Sequence, residues 1–130
     1  MSKLDLSQDR LEQIFDLRES FMSTLADLKP GSYPAWPLDI STKESQQVLR
    51  DTALKGIEEM FEALQHLKNW KPHRDTDVPD FNRDEFLEEV VDAFNYFLSV
   101  LVLVGVSQDD FFDAYLKKDT IIRKRLTSGY

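Results

Sequence analysis

The sequence predicts an all-α protein, a bundle of four to five helices. Three observations carry this expectation. Apolar residues recur at three- and four-residue intervals through most of the chain. Helix-capping residues and Gly/Pro stops punctuate those stretches. No run alternates apolar and polar residues in the manner of a strand. The 130 residues fit one domain, residues 1–130.

The first helix is expected from about Ser7 to Leu28, with Leu11, Ile14, Phe15, Phe21, Met22, Leu25 and Leu28 at helical spacing. Pro30-Gly31 stops it. A loop rich in proline and aromatics follows to Leu38. The second helix is expected from a capping box at Ser41 and Glu44 to about Trp70. Its apolar stripe is Leu49, Ala53, Ile57, Met60, Leu64 and Leu67, with Glu59 and Glu62 on another face. Lys71 to Phe81 reads as an exposed connector. The third helix is expected after Asn82, with Glu85 in the capping position, and Gly105 ends it. It is apolar around most of its circumference, which predicts burial. One polar stripe interrupts it: Glu85, Glu88, Glu89, Asp92, Asn95, Tyr96 and Ser99. Ser107 with Asp110 caps a fourth helix reaching about Leu126.

Composition narrows the function. With no cysteine there is no disulfide or thiolate metal site, and two histidines, His66 and His73, leave little for a histidine-rich zinc site. The net charge of −8 argues against a nucleic-acid binder, which carries a basic footprint. The apolar stretch from Tyr96 to Val106 is short of the ~20 residues that span a bilayer. No signal peptide is visible after Met1, so the expectation is a cytoplasmic protein with neither nucleic acid nor membrane as partner.

Two acidic clusters carry the chemistry: Glu58-Glu59-x-x-Glu62 and Glu88-Glu89-x-x-Asp92. Carboxylates three residues apart rise from one helix face. Two such helices, facing one another, gather Glu59, Glu62, Glu89 and Asp92. Four unscreened carboxylates repel one another, and a hard divalent cation, Mg²⁺ or Mn²⁺, relieves the repulsion. A di-iron bundle wants Glu-x-x-His instead, and neither cluster has it. His66 follows Glu62 by four residues and reads as a surface or structural residue. A solvated acidic face is the plain alternative.

The spacing E-x-x-E, a few tens of residues, then E-x-x-D resembles the metal signature of the all-α nucleoside triphosphate pyrophosphatases, which include MazG-like enzymes and dimeric dUTPases. The dimeric dUTPase branch is the nearer likeness. Lys68-Asn69-Trp70-Lys71 looks like its lysine–tryptophan–lysine segment. Its C-terminal motif is matched by Tyr115, Lys118, Arg125, Gly129 and Tyr130. The likeness covers roughly residues 41–130 and leaves the N-terminal third unmatched. It departs at Asn95, where the branch has a uracil-reading histidine, and at Asp119, Ile122 and Leu126, where it has two asparagines and a glutamine.

The resemblance implies an oligomeric fold and a Mg²⁺-dependent pyrophosphohydrolase taking a (deoxy)nucleoside triphosphate to the monophosphate and pyrophosphate. It implies Glu59, Glu62, Glu89 and Asp92 as metal ligands, Glu59 positioning the attacking water, and Glu58 and Glu88 supporting that shell. Lys118 and Arg125, with Lys68 or Lys71, would grip phosphate oxygens. Basic residues near a helix C-terminus also suit its dipole. Trp70, Trp36 and Tyr130 are of a type that stacks on a base and equally of a type that fills a core. Asn95 offers a donor and an acceptor to a base edge or to a neighbouring backbone group. dUTP or another base is the expected substrate, and a homodimer or homotetramer the expected assembly. A non-catalytic helical module whose acidic face binds a basic partner is the rival from another class.

Overall fold

The computed structural model describes residues 9–77 and 80–129. The described residues form four helices and no strand: α1, Arg10–Leu28; α2, Lys43–Leu64; α3, Arg83–Leu103; and α4, Gln108–Ser128. The all-α expectation holds. No single described helix is long and apolar enough to cross a membrane. The chain divides into two compact units, one made of the segments up to Pro37 and from Leu101, the other Leu38–Val100.

In the first unit Asp9 caps α1, its carboxylate accepting from the Leu11 and Glu12 amides at 2.8 and 3.4 Å. The expected start at Ser7 lies outside the described residues. Phe15 meets Phe111 of α4 with ring centroids 6.1 Å apart. Phe15, Met22, Val102 and Leu103 are the buried apolar residues of this unit. Gly105, at φ +76°, stops α3: its amide reaches the Val102 carbonyl at 3.0 Å, and the Val106 amide reaches that of Leu101 at 3.0 Å. This paired closure needs the left-handed conformation glycine adopts without cost. Ser107 and Asp110 then form the expected capping box of α4, which runs two residues beyond Leu126.

The other unit holds α2 and the body of α3. Asp39 accepts from the Ser41 amide and hydroxyl at 3.0 and 2.6 Å, which holds its carboxyl below the usual value. With Ser41 so engaged, Thr42 takes the cap, accepting from the Ser45 amide at 3.2 Å. The cap expected at Ser41 is therefore one residue later, a single side-chain bond from Thr42 in place of a capping box. α2 ends at Leu64, six residues short of Trp70. The next amides tighten onto i−3 carbonyls, His66 to Ala63 and Leu67 to Leu64. Pro72 disfavours helix at the residue before it, and the Asn69 side chain accepts from the Thr76 amide at 2.9 Å instead.

The buried face of α2 also differs from the expected stripe. It runs through Thr52, Gly56 and Ala63, while Ile57, Leu64 and the following Leu67 stay exposed. Small residues win because α3 comes close: a Cβ at Gly56 would stand 2.7 Å from Phe97 Cε1 and 3.1 Å from the Ala93 carbonyl. α3 opens as expected, the Asn82 side chain accepting from the Glu85 amide at 3.1 Å. It is not buried all round, since Leu87, Val91 and Phe94 face outward at helical spacing.

Candidate metal centre

Glu59 and Glu62 are one turn apart on α2, and Glu89 and Asp92 one turn apart on α3. The close helix approach fixes where these turns meet. Gly56 lies three residues before Glu59, and Ala93 directly follows Asp92. Glu59 thus falls on the line of Gly56 and Ala63 and is half-buried, not on a separate polar face as the periodicity suggested. Glu62 and Asp92 are exposed and Glu89 is half-buried.

The Glu59 carboxyl is perturbed by its surroundings. Burial raises the Glu59 carboxyl above its ordinary value. The charge of Glu62 and a hydrogen bond shared with it push the same way, followed by the charges of Asp92 and Glu89. The Glu59 carboxyl thus lies within electrostatic reach of Glu62, Asp92 and Glu89. Among the described residues, no three of His, Cys, Asp or Glu stand close enough to enclose an ion as they are placed.

Glu89 has a second neighbour. Its Oε2 is buried, and His66 Nε2 lies 3.0 Å from it. The separation is that of an ion pair, while no hydrogen bond of good geometry reaches that oxygen. The turn after α2 sets the His66 backbone through its bond to Ala63. Its ring lies edge-on to Phe86, with centroids 6.5 Å apart and planes at 73°. Phe86 in turn packs on Phe81 at 5.6 Å. The sequence left His66 as a surface or structural residue, and its place against Phe86 and Glu89 agrees with the second of these. The only signal was its spacing of four from Glu62.

The remaining candidates are placed as follows. Glu58 and Glu88 are exposed beside the four. Asn95 is half-buried one turn beyond Asp92, on a stripe that runs inward from exposed Glu85 to fully buried Ser99. Lys68, Trp70 and Lys71 are on the connector after α2. Trp70 is 69% exposed, and Lys71 Nζ lies 5.7 Å from its ring centroid. Lys118 and Arg125 belong to the other unit, both exposed on α4. On the same helix Asp119, one of the departures noted above, accepts from Arg123 at 2.7 Å and raises its pKa, a use internal to the helix. Trp36 is half-buried against Tyr33 at 6.5 Å. Tyr130 lies outside the described residues.

Comparison with protein-family models, with curated proteins and with solved structures finds no match to this chain.

Proposed function

We propose that this chain is a Mg²⁺-dependent (or Mn²⁺-dependent) nucleotide pyrophosphohydrolase that cleaves a (deoxy)nucleoside triphosphate to the monophosphate and pyrophosphate. What supports the reading is the presence of i,i+3 carboxylate pairs on α2 and α3, helices that come close at Gly56, with the other three carboxylates helping to raise the Glu59 carboxyl. The donor set suits a hard divalent ion in kind, since every group is a carboxylate oxygen.

Glu59, Glu62, Glu89 and Asp92 would hold the metal. When bound, it would neutralise phosphate charge and make a bound water more acidic. Glu59 is the general base of this proposal. A carboxylate with a raised pKa takes a proton from water more readily than a fully solvated one. Water oxygen bonds to phosphorus at the α–β bridge, the bridging P–O bond breaks, and Glu59 accepts the water's proton. Lys71 and Lys68 would bind phosphate oxygens, with Trp70 and Asn95 as base contacts. Asn95 in place of histidine supports a specificity in which dUTP is not uniquely preferred. A cytoplasmic location and a homodimer or homotetramer complete the proposal. Apolar Leu87, Val91 and Phe94, left outside on α3, support a second copy of the chain as partner.

The test is pyrophosphate release from a panel of common and modified triphosphates. With Mg²⁺ at least one should turn over, and EDTA should abolish the activity. Glu89→Gln and Asp92→Asn should each lower turnover by ~10² or more, as removal of a key electrostatic group does. A folded, metal-supplied protein inert across the panel would instead favour an acidic helical binding module.

A further inference from the structure

We infer that two copies of the chain lay their α4 helices side by side and antiparallel, across the two-fold axis of the proposed dimer. The pairing depends on the second copy proposed above and on none of the chemistry. This helix of 21 residues buries none of them. Near its start Phe111 meets Phe15 of α1, with ring centroids 6.1 Å apart. Beyond that point Phe112, Tyr115, Leu116, Ile122 and Leu126 are 42–76% exposed. They recur at three- and four-residue intervals and so form one stripe. Helices in folded proteins owe most of their stability to packing such a stripe. α4 therefore presents a face that calls for a partner.

The charges along α4 select the occupant. Its first half, up to Leu116, carries Asp109, Asp110 and Asp113 and no cation. From Lys117 to Arg125 there are five cations against one anion, Asp119. That order suits the helix's own dipole. It also makes α4 complementary to an antiparallel copy of itself. Each acidic half then lies level with a basic half, twice over. A parallel pair would set like charge against like. An anionic lipid surface would attract the second half and repel the first. A two-fold axis requires one patch to serve both partners, and a helix paired antiparallel with its copy meets that requirement.

The stripe also sets the register. It is centred on Asp119, seven residues from Phe112 and seven from Leu126. In the antiparallel pair Phe112 meets the partner's Leu126, Leu116 meets the partner's Ile122, and Asp119 meets its own copy at the axis. Arg123 donates to Asp119 at 2.7 Å, so two ion pairs come together there in place of two bare carboxylates. A polar group set within an apolar stripe fixes register at some cost in stability. A slip by one turn would lay each Asp119 against the partner's apolar side chains and leave the ends of the stripe uncovered.

The experiment exploits a chain without cysteine, in which an introduced thiol is the sole one. Phe112→Cys and Leu126→Cys are made in the full chain, mildly oxidised, and read as covalent dimer on non-reducing gels. Antiparallel pairing holds the two copies of residue 112 ~21 Å apart along the axis, far beyond the reach of a disulfide. Neither variant should link alone, whereas the two co-expressed should link to each other. Asp119→Cys should link to its own copy. Lys124→Cys, on the far side of α4, should not link and measures chance collision. Circular dichroism checks the fold of each variant. Should Phe112→Cys fail to fold, Leu116→Cys with Ile122→Cys takes the place of the first pair. Self-linking of Phe112→Cys or Leu126→Cys would reveal a parallel pair and overturn the inference. Linking of the co-expressed pair no greater than that of Lys124→Cys would overturn it as well, by giving the stripe another occupant. Either failure leaves the proposed pyrophosphohydrolase activity standing, because pyrophosphate release is read separately.

Discussion

Glu59 is half-buried on the line of α2 that runs through Gly56 and Ala63, and burial together with three nearby carboxylates raises its carboxyl above the ordinary value. The sign of the consequence can be worked out. Its folded pKa lies above the ordinary 4.5, so the folded chain holds this proton to a higher pH than the unfolded chain. Stability attributable to Glu59 therefore falls as pH rises from about 4.5 through the raised value, and the whole penalty is present above it. Glu59→Gln removes the ionisation. In EDTA, urea midpoints of this variant should match or exceed wild type at neutral pH, with the gap closing as pH falls into the carboxylate range. Equal midpoints throughout would mean the four charges are too well solvated to matter. Saturating Mg²⁺ should reverse the order, because wild type then gains binding energy. At this scale the acidic pairs were legible, since i,i+3 spacing is local. His66 was not, because its position depends on where α2 stops and on the aromatic seat that α3 provides.

Among the elements, what is written locally was readable. The caps at Asn82 and Ser107 and the stop at Gly105 each close a bond within a few residues. The end of α2 and its buried face were not readable. One depends on Asn69 reaching seven residues to Thr76, and the other on which side α3 approaches. Gly56 is the pivot of that approach. Replacing it with alanine brings two opposed effects. Helix propensity favours alanine by up to about 1 kcal/mol. Overpacking against Phe97 and the Ala93 carbonyl costs roughly 1–3 kcal/mol. The contact with Phe97 would be 2.7 Å and that with backbone 3.1 Å, so something must move and the cost outweighs the gain. Gly56→Ala should lower the thermal midpoint, as measured by circular dichroism. A variant as stable as wild type would show that the helices separate at no cost.

For the whole molecule, the outward-facing apolar residues are the main feature. α2 leaves Leu54, Ile57 and Phe61 exposed, and α3 leaves Leu87, Val91 and Phe94. Patches of this kind mark an interface in soluble proteins. A C2 dimer is the simplest closed assembly. Light scattering at micromolar concentration should report twice the 15.2 kDa chain mass. Val91→Glu should yield a folded monomer, since Val91 is already 55% exposed in the single chain. A wild-type monomer would refute the assembly. Gly56 has one more consequence, for the choice of ion. Because the missing methyl lets the two acidic helices lie close, it sets the gauge of the cluster one turn away. Mg²⁺ needs oxygens at about 2.0–2.1 Å, whereas Ca²⁺ accepts about 2.3–2.6 Å with looser geometry. On the proposed metal site, Gly56→Ala should therefore widen that gauge and shift the ratio of Mg²⁺ to Ca²⁺ affinity, measured by titration calorimetry, toward the larger ion without touching a proposed ligand.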